Sequence, residues 1–146
     1  MPTIRERYDM LKHQPKPILN ASLTVQFRQV RIALAREPGH PEGDADVAYI
    51  IVAPFDSEHR IDAGLWRDYR DACRVVRQRP DEQDKHGHLV HRQGGVWGFD
   101  YDDGETSLPD EVGYHFADER FVVGEYVSIN EGGNMRTYRV TAVSYL

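Results

Sequence analysis

Cysteine occurs once in the 146 residues, at Cys73. A lone thiol excludes an internal disulfide framework and any zinc site made of cysteines alone. No apolar run approaches the ~20 residues that a membrane-spanning helix needs, and mean hydropathy is −0.64. The opening residues, Met1 to Lys12, are charged and contain no apolar core of the secretory type. No leader is therefore expected, and a cytoplasmic location is. Phosphate-binding glycine loops, Rossmann fingerprints and nucleophile elbows are absent, which removes the common sequence signals of nucleotide-dependent and serine-hydrolase chemistry. Basic residues are scarce in the second half: residues 80–146 hold 5 Lys+Arg against 13 Asp+Glu, whereas residues 1–79 hold 13 against 11. Phosphate repels such an acidic half, so a nucleic-acid partner is not expected.

Hydrophobic residues make up 40% of the chain. This length suits one domain that buries roughly two-thirds of its unfolded surface. Residues 1–20 read as an N-terminal arm, with a short helix from Thr3 ended by Pro15 and Pro17. Residues 21–146 read as a single α+β domain. Leu23 to Arg36 reads as a long strand whose apolar set changes parity, from Leu23, Val25 and Phe27 to Val30, Ile32 and Leu34. That change predicts a β-bulge or sharp bend near Arg28–Gln29. The run Val47 to Phe55 is apolar on both faces, as a strand covered on both sides would be, with Pro54 at its end.

Ile61 to Val76 has the helical period. Asp62 is a good N-cap, and Ile61 with Trp66 fits a hydrophobic staple. Ile61, Leu65, Tyr69, Ala72 and Val76 fall on one stripe, and Arg67, Arg70, Arg74 and Arg77 on another. Past Gly87 the chain reads as β. His88–Arg92 and Val96–Tyr101 flank Gln93-Gly94-Gly95, Val112 to Phe116 alternates, and Glu125–Ile129 and Arg136–Tyr145 flank a glycine-rich turn. The expected fold is α+β: a mostly antiparallel, strongly curved sheet or small barrel with one main amphipathic helix.

The segment Phe121-Val-Val-Gly-Glu-Tyr-Val-Ser-Ile, the turn after it and Thr137-Tyr-Arg-Val-Thr-Ala-Val resemble a hairpin of an SH3-like barrel. The resemblance covers about 25 residues. It implies a binding or structural module and carries over no functional residue.

Three groups of residues are candidate sites. Four guanidinium groups on one helical face (Arg67, Arg70, Arg74, Arg77) can recognise carboxylates or phosphates bidentately. Asp71 lies within reach of Arg67 and Arg74 and would pair part of that face. The arginines point to a non-enzymatic binding module, with a protein partner or self-association against the acidic half. His86, His88 and His91 form H-G-H-x-x-H. On a strand His86 and His88 share a face and could chelate a divalent transition metal, while His91 has the opposite parity; His59, His115 or an acid would have to complete the site. Solvated histidines at a loop edge are the plainer reading. Trp97, Phe99 and Tyr101 share one strand face and could line a small-ligand groove, or fill a core. The acidic stretch Asp100, Asp102, Asp103, Gly104, Glu105 fails the EF-hand pattern, because glycine falls at the fifth position. Cys73 borders the apolar stripe and reads as a structural thiol.

Overall fold

The computed structural model describes residues 23–102, 111–113 and 116–146. The expected arm over 1–20, Asp103 to Glu105 of the acidic stretch, and His115 lie outside these residues. The strands are β1 (Phe27–Leu34), β2 (Asp44–Pro54), β3 (Arg74–Gln78), β4 (Lys85–His91), β5 (Trp97–Tyr101), β6 (Glu111–Gly113), β7 (Tyr126–Glu131) and β8 (Asn134–Tyr145). Each pairs antiparallel with the next, and β1 pairs with β8, so the ladders form a closed ring in chain order. The ring is a strongly curled sheet whose narrowest link is the three-residue β6, which pairs at Gly113 and Val112 with β5 and at Glu111 and Val112 with β7.

The expected helix is much shorter than its periodicity suggests. Among the described residues the helix, α1, spans Ala63–Asp68, a 3-10 turn follows over Arg70–Ala72, and Arg74–Gln78 is strand β3. Asp62 does cap α1, its carboxylate accepting from the Leu65 amide at 3.0 Å. The helix ends at Tyr69, where the backbone leaves helical angles (φ −128°, ψ 34°). Beyond it, the β-branched pair Val75–Val76 fits a pleated surface better than a helix. Between β2 and β4 lies a position that only a strand can fill, and Ile51 pairs with Val75 there. The helical stripe of arginines is thereby dissolved: Arg67 and Arg70 stay on the short helical segment, and Arg74 and Arg77 move to a strand.

The parity change in β1 also has another cause. The strand starts only at Phe27, after a turn in which the Phe27 amide donates to the Thr24 carbonyl at 3.1 Å. Val25 is exposed and belongs to no strand. No bulge sits at Arg28–Gln29. The register shifts fall between Arg31 and Ile32 against β8, and between Ala33 and Leu34 against β2. β2 is buried along most of its length on both sides and ends at Pro54, as its composition requires. The hairpin around Gln93–Gly95 and the β7–β8 hairpin that ends the chain both form.

Side chains fill the ring. Trp97, Tyr49, Tyr138, Phe27, Phe55, Phe116 and Phe121 are the largest fully buried residues. At the end carrying α1, Trp66 packs edge-on to Trp97 (5.4 Å between centroids) and donates its indole N–H to the Leu89 carbonyl at 2.8 Å. Phe116 meets Phe121 edge-on at 5.2 Å there as well.

The opposite end is sealed by polar groups. Tyr49 and Tyr138 donate their hydroxyls to Glu131 at 3.2 and 2.7 Å. Arg79, following β3, ion-pairs with Glu131 and donates to both tyrosine hydroxyls. Burial, helped by the neighbouring Glu131 carboxylate, pushes the Tyr138 phenol up. Arg136 reaches Glu37 at 2.6 Å and holds its carboxyl below the ordinary range. A buried charge must be paired, and here the pairing joins β2, β3, β7 and β8 to the loop after β1.

Close backbone approach fixes Gly87 in β4. A Cβ there would lie 2.3 Å from the Asp100 carbonyl oxygen and 2.8 Å from the Tyr101 Cα, both on β5. Gly87→Ala should therefore lower stability by about 1–3 kcal/mol, measured by urea denaturation, because backbone and not a flexible side chain must move.

The Ser128 amide on β7 donates to Glu119 at 2.9 Å, so a carboxylate stands where β6 has ended. The other oxygen, Oε1, is buried with no partner among the described residues. Burial pushes this carboxyl up to about 7. Between its ordinary value of 4.5 and about 7 the native state holds a proton that the unfolded chain releases. Its contribution to stability is thus lost as pH rises through that window. Glu119→Gln keeps an acceptor for Ser128 and removes the charge. Its melting temperature should match the parent near pH 4 and exceed it increasingly up to pH ~7.5, with no further gain above that. Parallel pH profiles would refute the assignment.

Candidate functional site

In an antiparallel sheet, directly opposed residues share a face. The register therefore draws two rows across the outer surface of β2, β3 and β4. One runs Gln29, Val52, Arg74, His88 and Asp100; the other runs Arg31, Ile50, Val76 and His86. Between them lies a groove of about 460 Å³ with Ile50, Val52 and Val76 as its apolar floor and Arg74, His86, His88 and Asp102 around it. The His88 Nδ1 lies 3.2 Å from the Asp102 carboxylate, which orients the ring. Arg74 is exposed and has no hydrogen bond or ion pair among the described residues.

The candidate residues are thus regrouped. Arg74 stands beside His88, and His86 and His88 share a face as their spacing requires. Arg77, three residues after Arg74 on a strand, takes the opposite face, where it opposes Tyr49 and ion-pairs with Glu82 at 2.8 Å. Arg67 and Arg70 are exposed on the helical segment, Arg70 with its guanidinium 5.0 Å from the centre of the Trp66 ring. His91 lies inside the ring, stacked on Trp97 at 4.2 Å. Among the described residues no three His, Cys, Asp or Glu side chains gather as a metal would require.

Trp97 and Phe99 are core residues, and Tyr101 is half-buried against them. A ligand in the ring would have to displace these side chains. Cys73 is fully buried, its sulfur 3.3 Å from the Tyr69 carbonyl oxygen, and burial pushes its thiol up to about 12.

Sequence reasoning missed the apolar floor and the partnership of Arg74 with His88. Both depend on β3 being a strand. The run Arg74-Val-Val-Arg, with adjacent β-branched residues, was the local signal for it. The Arg79–Glu131–tyrosine cluster had no local signal, because its members lie up to 89 positions apart (Tyr49 to Tyr138). Comparisons with protein-family models, with curated proteins and with solved structures find no match for this chain.

The thiolate is the reactive form of cysteine. Cys73 should therefore resist Ellman's reagent in the folded protein at pH 8 and react fully in denaturant. Rapid native labelling would contradict its buried placement.

Proposed function

We propose that this protein is a non-enzymatic binding module whose contact surface is the outer face of β2, β3 and β4, and that its partner is an acidic protein segment with an apolar residue. One observation carries the reading: Arg74 is an exposed guanidinium without a counter-charge among the described residues, set beside His88 on an apolar floor. Arginine suits carboxylate recognition because its planar fork can form two parallel hydrogen bonds. Ile50, Val52 and Val76 supply the apolar component that steadies a charged contact.

A transition metal held by His86 and His88 is the second reading. Their shared face favours it, and the lack of a third described donor weighs against it. Self-association would require the same face to meet acidic residues of a second copy.

The test is titration of 15N-labelled protein with peptides of the form acidic–apolar–acidic and with their amidated, neutral counterparts. Acidic peptides should shift the amides of β3 and β4, with affinity falling as salt rises. Arg74→Glu should weaken binding by at least about tenfold, as loss of a charge-assisted pair followed by repulsion would. Shifts confined to other faces, or an Arg74→Glu variant that binds equally well, would reject the proposal.

A further inference from the structure

A second groove lies on a different side of the ring and is wider, at about 590 Å³. It crosses the outer faces of β7, β8, β1 and the start of β2. Tyr126 opposes Arg139, and Arg139 opposes Ala33, so these three form one row. The two register shifts of β1, after Arg31 and after Ala33, bracket this row. Bulges bend a strand and re-aim its side chains. Here the irregular ladders leave a depression with Ala33, Ala35 and Ala45 along its base and the side chains of Thr137 and Thr141 beside them.

Two guanidinium groups, Arg36 and Arg139, line this groove, and neither has a carboxylate partner among the described residues. Arg139 and Arg36 are exposed, with no hydrogen bond or ion pair there. Arg31 is held by the Ala45 carbonyl and the Thr141 hydroxyl, both uncharged. The acid next to Arg36 in sequence, Glu37, is taken by Arg136 and His40. On the far wall Asp44 accepts from the Asp46 amide at 2.9 Å and lies 4.0 Å from His40, and Glu42 lines the same wall. Cationic charge is therefore concentrated on the side of β8 and the end of β1, next to Tyr126, a residue that is 59% exposed.

We propose that this groove binds a small molecule carrying a phosphate or carboxylate next to a flat aromatic ring. The anion would sit between Arg36 and Arg139, within reach of the Thr137 hydroxyl, and the ring would lie against Tyr126. Guanidinium groups recognise such anions bidentately, and an exposed tyrosine offers a face for offset stacking. The volume falls within the roughly 300–1,000 Å³ of small-molecule sites. The two sites share no lining residue, so either proposal can fail without the other.

The experiment uses phenyl phosphate and inorganic phosphate as probes of the 15N-labelled full chain. Phenyl phosphate should shift the amides of residues 31–36, 126 and 137–141 saturably, with a Kd of about 1 mM or tighter. Arg36→Ala and Arg139→Ala should each weaken it about tenfold, the loss expected for one charge-assisted contact. Tyr126→Ala should weaken phenyl phosphate several-fold and leave inorganic phosphate unchanged. All three side chains lie on the surface, and an unchanged amide spectrum outside the groove confirms that each variant is folded. The inference is overturned by absence of saturable shifts, by shifts that survive Arg36→Ala with Arg139→Ala, or by shifts centred on Arg74. Equal effects of Tyr126→Ala on both probes would remove the aromatic half of the proposed ligand.

Discussion

The pairing of β1 with β8 is the contact on which the rest of the structure depends. It joins the first described strand to the last and removes the two free edges that an open eight-strand sheet would present. Closure also decides what the inside and outside of the wall mean. A curled sheet of this size has an interior that side chains can fill, and the rings of Tyr49, Trp97, Phe99 and Tyr138 occupy it. Both grooves lie on the outer wall.

The two ends of the ring are sealed by different physics. One is closed by apolar contact, with Trp66 on a helix too short to be stable by itself, packed on Trp97 and Leu89. The other is closed by charge, with Arg79 and Glu131 held between two tyrosine hydroxyls. Removal of one partner from such a cluster leaves an uncompensated buried charge, which costs far more than an exposed ion pair contributes. The contrast sorts the arginines. Arg79 and Arg136 are committed to the fold, and Arg74, Arg36 and Arg139 are not.

Much of the β architecture was legible because its signals are local. The two-sided apolar run of β2, the glycine turn after Arg92 and the final hairpin follow from period-two patterning and turn chemistry. The helix was legible at its start, where Asp62 caps it, and misread at its end. Val76 satisfies a helical stripe and a strand equally well, and the choice was made by β2 and β4, which need a strand between them. The parity change in β1 was a real signal attached to the wrong cause, since Leu23 and Val25 precede the strand. His86 and His88 were placed on a common face by spacing alone.

The sequence by itself determined most of the strands, β3 excepted, with their turns and the closely spaced pairs, because these depend on neighbours a few positions apart and on backbone geometry common to all chains. The tertiary structure alone decided that Arg74 meets His88, that Arg77 turns to the opposite face, that Tyr49 shares a carboxylate with Tyr138, and that Arg139 stands over an alanine floor beside Tyr126. Each of these is a consequence of register between strands distant in the chain. A shift of one residue would send every such side chain to the other face of the wall, and nothing local to any of these residues sets that register.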